Sequence, residues 1–306
     1  MQGLKPVARL LIEYDGSRFS GWARQPGART VQDELERALA VVLRRDEVAL
    51  TVAGRTDAGV HAWGQVASYA GEPALPRSLN ALLPDDVAVL ESSEAPPGFD
   101  ARRDASSRAY CYRVLARRSR SAMLRGRAWH VPGGLDLELL QACAQAVVGT
   151  HDFTAFTPTE TYHVRFSRDV FAAAWQVADA AGRDGLLEFW IEADSFMRQM
   201  NRALVGTMLE VGSGARPLES FAALLEGAPR AAAGPTAPPC GLYLAGVGYG
   251  GGRVLGPRGG ETPLGLPPMA LGFTHRRKSW PGGWGPYPGL SGSTHEGRRG
   301  RGSHKS

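Results

Sequence analysis

The sequence predicts an α+β fold made of two consecutive halves, and three patterns predict it. Short runs with strand-like alternation or continuous apolar character are interleaved with segments whose apolar residues recur at helical spacing. Glycine, proline and aspartate cluster between these runs, as turns require. In the second half, two strand-like runs flank Ala181-Gly182-Arg183-Asp184-Gly185, which reads as a hairpin.

Taken in order, residues 7–14 read as an opening strand ended by Asp15-Gly16-Ser17. A polar loop follows, Phe19-Ser20-Gly21-Trp22-Ala23-Arg24-Gln25. Thr30 with Asp33 three residues on is a near-match to a capping box, and Val31, Leu35, Ala38, Leu39, Val42 and Leu43 then fall on one helical stripe. Residues 48–53 and 65–69 read as strands on either side of a polar turn. Residues 73–84 form a connection with a short helix, 87–90 a strand, and 99–108 an arginine-bearing link. In the strand at 109–115, alternation puts Tyr110, Tyr112 and Val114 on one face and Cys111, Arg113 and Leu115 on the other.

The second half opens with a helix over 136–148, closed by Gly149, and a loop over 151–156. Strands at 170–177 and 186–191 make the hairpin, and 196–211 is a long helix with Phe196, Met200, Leu204, Met208 and Val211 on its apolar side. A short helix at 217–226 and a final strand at 242–247 complete it. The expected organisation is an N-terminal domain over 1–104, a C-terminal domain over 105–250, and a disordered basic Gly/Pro-rich tail over 251–306.

Composition narrows the class. A chain of 306 residues with 43% hydrophobic and 21% charged content suits a globular protein. No apolar run is long enough to span a membrane, and the N-terminus lacks the apolar core of a signal peptide, so a cytoplasmic location is expected. Cys111, Cys143 and Cys240 form no CxxC pair, which argues against a disulfide framework and a structural zinc site; reduced, buried thiols are expected. The net charge of +5 is misleading: residues 251–306 carry nine Lys or Arg against two Glu, leaving residues 1–250 at −2. That tail holds 15 Gly and 7 Pro. Its basic clusters, 275–278 and 298–301, either attract phosphates or are an incidental extension, and cutting after Tyr249 is expected to leave the fold intact.

Among chemistries, the scattered histidines do not support metal ligation, there is no GxxxxGK[ST] loop and no GxSxG, and the glycines at 246–250 open no helix. His61 alone reads as a structural residue. What survives is Gly54-Arg55-Thr56-Asp57-Ala58-Gly59-Val60-His61-Ala62, a carboxylate and a cation on a turn framed by glycines. An Asp with an ordinary pKa of roughly 3.9 is ionised at neutral pH, and Arg55 cannot deprotonate there, so the pair suits covalent catalysis by a carboxylate. The alternative is an ordinary Asp-Gly turn with an exposed ion pair.

This run resembles the signature of the TruA family of tRNA pseudouridine synthases. Tyr14-Asp15-Gly16, Gly21-Trp22-Ala23-Arg24-Gln25 and Thr30-Val31-Gln32 are similar to that family's opening segment. Arg108-Ala109-Tyr110-Cys111-Tyr112-Arg113, Gly149-Thr150-His151-Asp152-Phe153-Thr154-Ala155-Phe156, the helix through Arg202, and Gly241-Leu242-Tyr243-Leu244 follow in the family's order. The resemblance implies a pseudouridine synthase fold, with two α/β domains and antiparallel sheets around a central RNA-binding cleft. It implies isomerisation of uridines 38, 39 and 40 in the tRNA anticodon arm by a homodimer, without cofactor or metal. It gives Asp57 the role of nucleophile, Arg55 that of its partner in displacing the base, Tyr110 that of a stacking platform, and Arg202 a place near the aspartate. A core aromatic is the competing reading of Tyr110, and a helix-surface cation that of Arg202. Lys5, Arg24, Arg102, Arg103 and Arg108 are candidates for a phosphate-binding stripe, against solvated surface charge. The chain departs from the family pattern at Asp100, Arg103, Asn201 and Ala203, which puts in doubt contacts near Arg202 and in the linker.

Overall fold

A computed structural model describes residues 6–161, 163–178 and 185–255. The strands are Val7–Tyr14 (β1), Thr51–Val52 (β2), His61–Ala70 (β3), Val87–Ala95 (β4), Ala105–Ala116 (β5), Trp129–Val131 (β6), Gly149–Asp152 (β7), Ser167–Val177 (β8), Leu186–Ala193 (β9) and Leu242–Tyr249 (β10). The α-helices are Val31–Leu43 (α1), Pro76–Asn80 (α2), Leu137–Ala146 (α3), Met200–Gly212 (α4) and Leu218–Ala223 (α5). The strands form a single sheet in the order β4-β1-β3-β10-β5-β9-β8-β7, with β2 on β3 and β6 on β5. The expected α+β class therefore holds, and the pairing is antiparallel except at β3 with β10 and β5 with β6.

The antiparallel strands of the two halves continue into one another through β10. This last strand pairs Tyr243 with His61 and Leu244 with Ala62 on one side, and Leu242 with Tyr112 and Leu244 with Tyr110 on the other. It thus sets the end of β3, where the polar turn empties, beside Tyr110.

Alternation sorts the sheet into two faces. Leu10, Ile12, Tyr110, Tyr112 and Val114 share the main buried cluster with Leu35 and Leu39 of α1, Leu140 of α3, Leu204 and Met208 of α4 and Phe221 of α5. The reverse face carries smaller groups: Ala53, Val66 and Ala101 in one, and Ala109, Ala245 and Leu255 with Trp63 and Trp190 in another. The face assignment read from residues 109–115 is borne out for Tyr110, Tyr112 and Val114, and Leu115 lies in a separate cluster.

Capping residues act as their chemistry dictates. Thr30 accepts from Asp33 N–H at the start of α1, and Asp136 from the Glu138 and Leu139 N–H groups at the start of α3. Several boundaries differ from the sequence reading. The strand expected over 48–53 shrinks to β2, because Leu50 N–H is taken by the buried Glu36 carboxylate of α1 rather than by a neighbouring strand. The loop expected over 151–156 instead contains the end of β7 and a 3-10 turn, Thr154–Phe156, whose first N–H bonds Asp152. The helix expected from 196 begins at Met200, since Gln199 adopts a left-handed backbone, φ 60°, that cannot belong to it. Strand β6 was not anticipated. Residues 181–184 of the hairpin turn, and the tail from 256 onward, lie outside the described residues.

Residues 251–255 correct the expected cut after Tyr249. The Glu192 carboxylate, 1% exposed, accepts the Ser107 hydroxyl and the N–H groups of Val254 (2.8 Å) and Leu255 (2.6 Å). Leu255 packs into the reverse-face cluster, and the Arg253 guanidinium lies 3.6 Å from the Phe171 ring centroid. A chain ending at Tyr249 loses two charge-assisted bonds to a buried carboxylate, each worth about 1.5–3 kcal/mol. Urea unfolding of chains cut after Leu255 and after Tyr249 is expected to show the shorter one less stable by at least about 2 kcal/mol. Equal midpoints would mean that 251–255 are not part of the core.

Candidate active site

The turn between β2 and β3 is held along its whole backbone. At its entry, Ala53 N–H donates to Val66 O, and Ala53 O accepts both Nε (3.2 Å) and Nη2 (2.9 Å) of Arg108. Gly54 O accepts Gln65 Nε2 at 2.7 Å. Thr56 O accepts Trp22 N–H, and the Thr56 hydroxyl shares a 2.7 Å hydrogen bond with the Tyr14 phenol. Gly59 N–H donates to Phe19 O, and Val60 N–H to Asp57 O.

The loop after β1 reaches the turn because two residues in it lack side chains. Gly21, at φ +101°, packs so closely that a Cβ would stand 2.9 Å from Thr56 O and 3.2 Å from Ala58 N. A Cβ on Gly16 would overlap the Val60 carbonyl. The same loop also starts α1, since Val31 N–H bonds Gly21 O and Gln32 N–H bonds Trp22 O. The resemblance between residues 14–25 and a family's opening segment thus has a physical reading: these residues buttress the turn.

On this frame Asp57 stands partly open to solvent, its side chain 41% exposed. Its ion-pair partner is Arg202 of α4, with Nη1 at 3.5 Å from Oδ2 and only 14% of the side chain exposed. Arg202 is no free helix-surface cation. Its Nε donates to Ala237 O at 2.7 Å, and its own carbonyl accepts Ala237 N–H. Arg55 is exposed, and among the described residues it forms no ion pair with Asp57. Sequence proximity suggested a cation from the turn itself, whereas the structure supplies one from 145 residues downstream, a difference read from the numbering of Asp57 and Arg202.

Tyr110 lies beneath the turn, 8% exposed and edge-on to Phe196 with centroids 4.9 Å apart. Its Oη lies 3.6 Å from where a Gly54 Cβ would be. Burial pushes this phenol well above the ordinary tyrosine range, with Tyr14 and Asp57 adding to the shift, so it is a neutral O–H group. Desolvation likewise raises the Tyr14 phenol to about 12. The structure therefore gathers Asp57, Arg202 and Tyr110 and leaves Arg55 at the rim.

The proposed phosphate stripe divides. Arg108 is part-buried, and burial lowers its pKa. Its guanidinium is consumed by the carbonyls of Ala53, Arg102, Ala105 and Asp194, so it is a structural clamp rather than a phosphate ligand. Arg24 pairs with Asp33 and Glu36, and Arg103 with Asp104. Arg102 is exposed. Lys5 lies outside the described residues. Of the departures, Asp100 caps its own turn by accepting the Arg102 and Arg103 N–H groups, while the buried Asn201 Oδ1 has no hydrogen-bond partner among the described residues.

His61 is structural. Its Nδ1 lies 3.1 Å from both the Gly16 nitrogen and Asp15 Oδ1, and its Nε2 faces Gly126 O at 3.0 Å. Burial lowers its pKa and Tyr243 stacks on it at 4.6 Å. All three cysteines are free, Cys111 and Cys143 buried and Cys240 partly so. Among the described residues no group of three His, Cys, Asp or Glu is placed to hold a metal ion, and no helix is long and apolar enough to cross a membrane.

Sequence reasoning missed the frame: Arg108 as a clamp, Gln65 and Tyr14 as buried polar props. A signal for Gln65 existed, since a glutamine inside the run Val60 to Ala70 must be bonded once buried. Arg108 carried none, because an arginine at the head of a strand reads equally well as surface charge.

Comparison with known proteins bears on the same residues. A family model described as tRNA pseudouridine synthase matches residues 10–101 and 143–250. The protein called tRNA pseudouridine synthase A from Geobacillus sp. (strain WCH70) is 41% identical over 243 residues, which covers 78% of this chain and 96% of that one. Its namesake from Thermus thermophilus is 44% identical over 247 residues, 78% of this chain and 95% of that one. The one from Myxococcus xanthus is 40% identical over 263 residues, 84% and 97% respectively.

The packing around Gly21 sets a stability test. Gly21→Ala must bear a left-handed backbone and push Thr56 O aside, and is expected to cost about 2 kcal/mol or more in urea unfolding. A change below about 0.5 kcal/mol, the usual range for an unconstrained surface site, would show that the loop does not fix the turn.

Proposed function

The chain belongs to the tRNA pseudouridine synthase family, and from that premise we propose that it isomerises uridine to pseudouridine at positions 38, 39 and 40 of the tRNA anticodon arm, with Asp57 as nucleophile. The observation that carries this reading is the Asp57 carboxylate, open to solvent on a backbone held throughout and paired with the part-buried Arg202.

The chemistry follows from what the site supplies. A carboxylate oxygen of Asp57 attacks the uridine and forms a covalent intermediate while the C–N glycosidic bond breaks. The freed base turns and its C5 bonds to the ribose carbon as the bond from that carbon to Asp57 breaks, which releases the carboxylate. C5 then loses its proton and N1 gains one, so the product is an isomer and no cofactor is consumed. Arg202 faces the carboxylate and aims it, and its anchor on Ala237 O keeps the cation in place. Tyr110 offers a ring face for the displaced uracil, and its neutral phenol suits stacking. Arg55 fills the gap left when a paired base is taken out of its stack, and its exposure on the turn supports that role.

Recognition through phosphates and helix shape explains action at neighbouring positions of differing sequence. The same reading includes a homodimer that grips one tRNA across both subunits, a cytoplasmic site of action, and domains over 1–104 and 105–250, with residues 251–255 packed on the body and a tail beyond.

Mapping pseudouridine in unmodified tRNA transcripts after incubation with the protein tests the specificity. Product confined to positions 38, 39 and 40 is expected. Product only elsewhere in the tRNA would overturn the assigned sites while leaving the reaction type.

A further inference from the structure

Residues 117–128 carry five arginines, Arg117, Arg118, Arg120, Arg125 and Arg127, and no acidic residue, within a body of residues 1–250 that is net negative at −2. Several arginines elsewhere have carboxylate partners, as Arg24, Arg29, Arg103 and Arg216 do. Here Arg127 pairs with Asp15 at 2.7 Å. Arg117 is bonded to Ser119 O. Arg118, Arg120 and Arg125 are exposed, and among the described residues their side chains form no ion pair. Three solvated guanidinium groups without a counter-charge form an anion-attracting surface.

The segment is fastened to the structure that presents Asp57. Gly126 O faces His61 Nε2 at 3.0 Å, at the exit of the catalytic turn. Arg127 O accepts the Tyr243 phenol at 2.8 Å, and Ala128 O accepts the Cys240 thiol at 3.9 Å. It then runs into β6, which pairs with β5. Whatever binds these arginines is held at a fixed place relative to the reacting uridine.

Two of these arginines, Arg120 and Arg125, line a cavity of about 570 Å³. Leu115, Leu124 and Ala128 form its apolar part, and Arg120, Arg125 and His130 its polar one. That volume lies within the usual span of small-ligand sites. An apolar floor with planar cations at its edge suits a nucleobase whose flanking phosphates lie on the arginines. The site falls between the two stretches that match the family model, 10–101 and 143–250.

Resting on the tRNA reading above, we propose that residues 117–130 form a second RNA site that takes an unpaired nucleotide of the same tRNA, distinct from the substrate uridine. The base enters the cavity, and the adjoining phosphates are bound by Arg118, Arg120 and Arg125. The site adds affinity and sets the placement of the tRNA on the protein, and takes no part in the chemical step.

Fluorescence anisotropy of labelled tRNA at several KCl concentrations, beside pseudouridine formation at saturating tRNA, tests this in the full-length chain. Arg120→Gln/Arg125→Gln is expected to weaken binding about tenfold near physiological salt. It should lower the slope of log affinity against log salt by about 1.5–2, the value for two lost phosphate contacts, with the saturated turnover rate unchanged. Ala122→Leu, in the cavity lining, is expected to weaken binding severalfold with the salt slope unchanged. If the double variant binds with wild-type affinity and slope while the wild type makes pseudouridine, the second site is wrong and the function stands. If Ala122→Leu binds as the wild type does, the nucleobase does not enter the cavity. A wild-type protein that makes no pseudouridine in tRNA overturns both readings.

Discussion

The structure depends on one constraint: the backbone of residues 53–60 is fixed from several directions by groups far away in sequence. Arg108 of β5 holds Ala53 O, Gln65 of β3 holds Gly54 O, Trp22 N–H holds Thr56 O, and Phe19 O takes Gly59 N–H. Gly16 and Gly21 let the loop after β1 come into backbone contact with the same turn. Loops normally move more than the elements they join, and a nucleophile on a mobile loop loses the positional advantage that makes an attack fast. Here the loop is tied as tightly as a strand, although it remains at the surface where a large substrate can meet it.

The order of strands in the sheet follows from the same need. β10, the last strand, lies between β3 and β5 and so brings the exit of the turn beside Tyr110. The strap ahead of β10 does the rest: Ala237 O and N–H bond Arg202, Pro238 O accepts the Tyr112 phenol, and Pro239 packs against Gly59. Gly206, one turn further along α4, packs against the Pro235 carbonyl, where a Cβ would overlap it. The cation that faces Asp57 is thus positioned by the C-terminal half and the carboxylate by the N-terminal half. The pair forms only when both halves are joined.

Much of this was legible in the sequence because it rests on local rules. The cap at Thr30, the stripe of α1, the alternation of β5 and the glycine-framed turn each depend on residues within a few positions of one another. The illegible parts depend on distance along the chain. Arg55 looked like the partner of Asp57 because it is two residues away, while the observed partner, Arg202, is brought in by tertiary packing. The short β2 has the same cause, since the buried Glu36 takes the N–H that a longer strand would use. Arg108 was read as a surface cation because charge was visible and burial was not. Its four carbonyl partners come from four separate positions, Ala53, Arg102, Ala105 and Asp194. The tail's attachment through Glu192 was hidden likewise, as it joins β9 to residues 254 and 255.

The account comes down to one oxygen atom on Asp57. Asp57→Asn keeps the shape of the side chain and its place on the held turn, and removes the charge that the proposed attack uses. The direct measurement is nucleoside analysis of an anticodon-arm RNA incubated with the wild type and with Asp57→Asn, beside the affinity of each for that RNA. Pseudouridine from the wild type, none from the variant, and closely similar affinities are the result the account predicts. Comparable product from both proteins would contradict it and remove Asp57 from the chemistry.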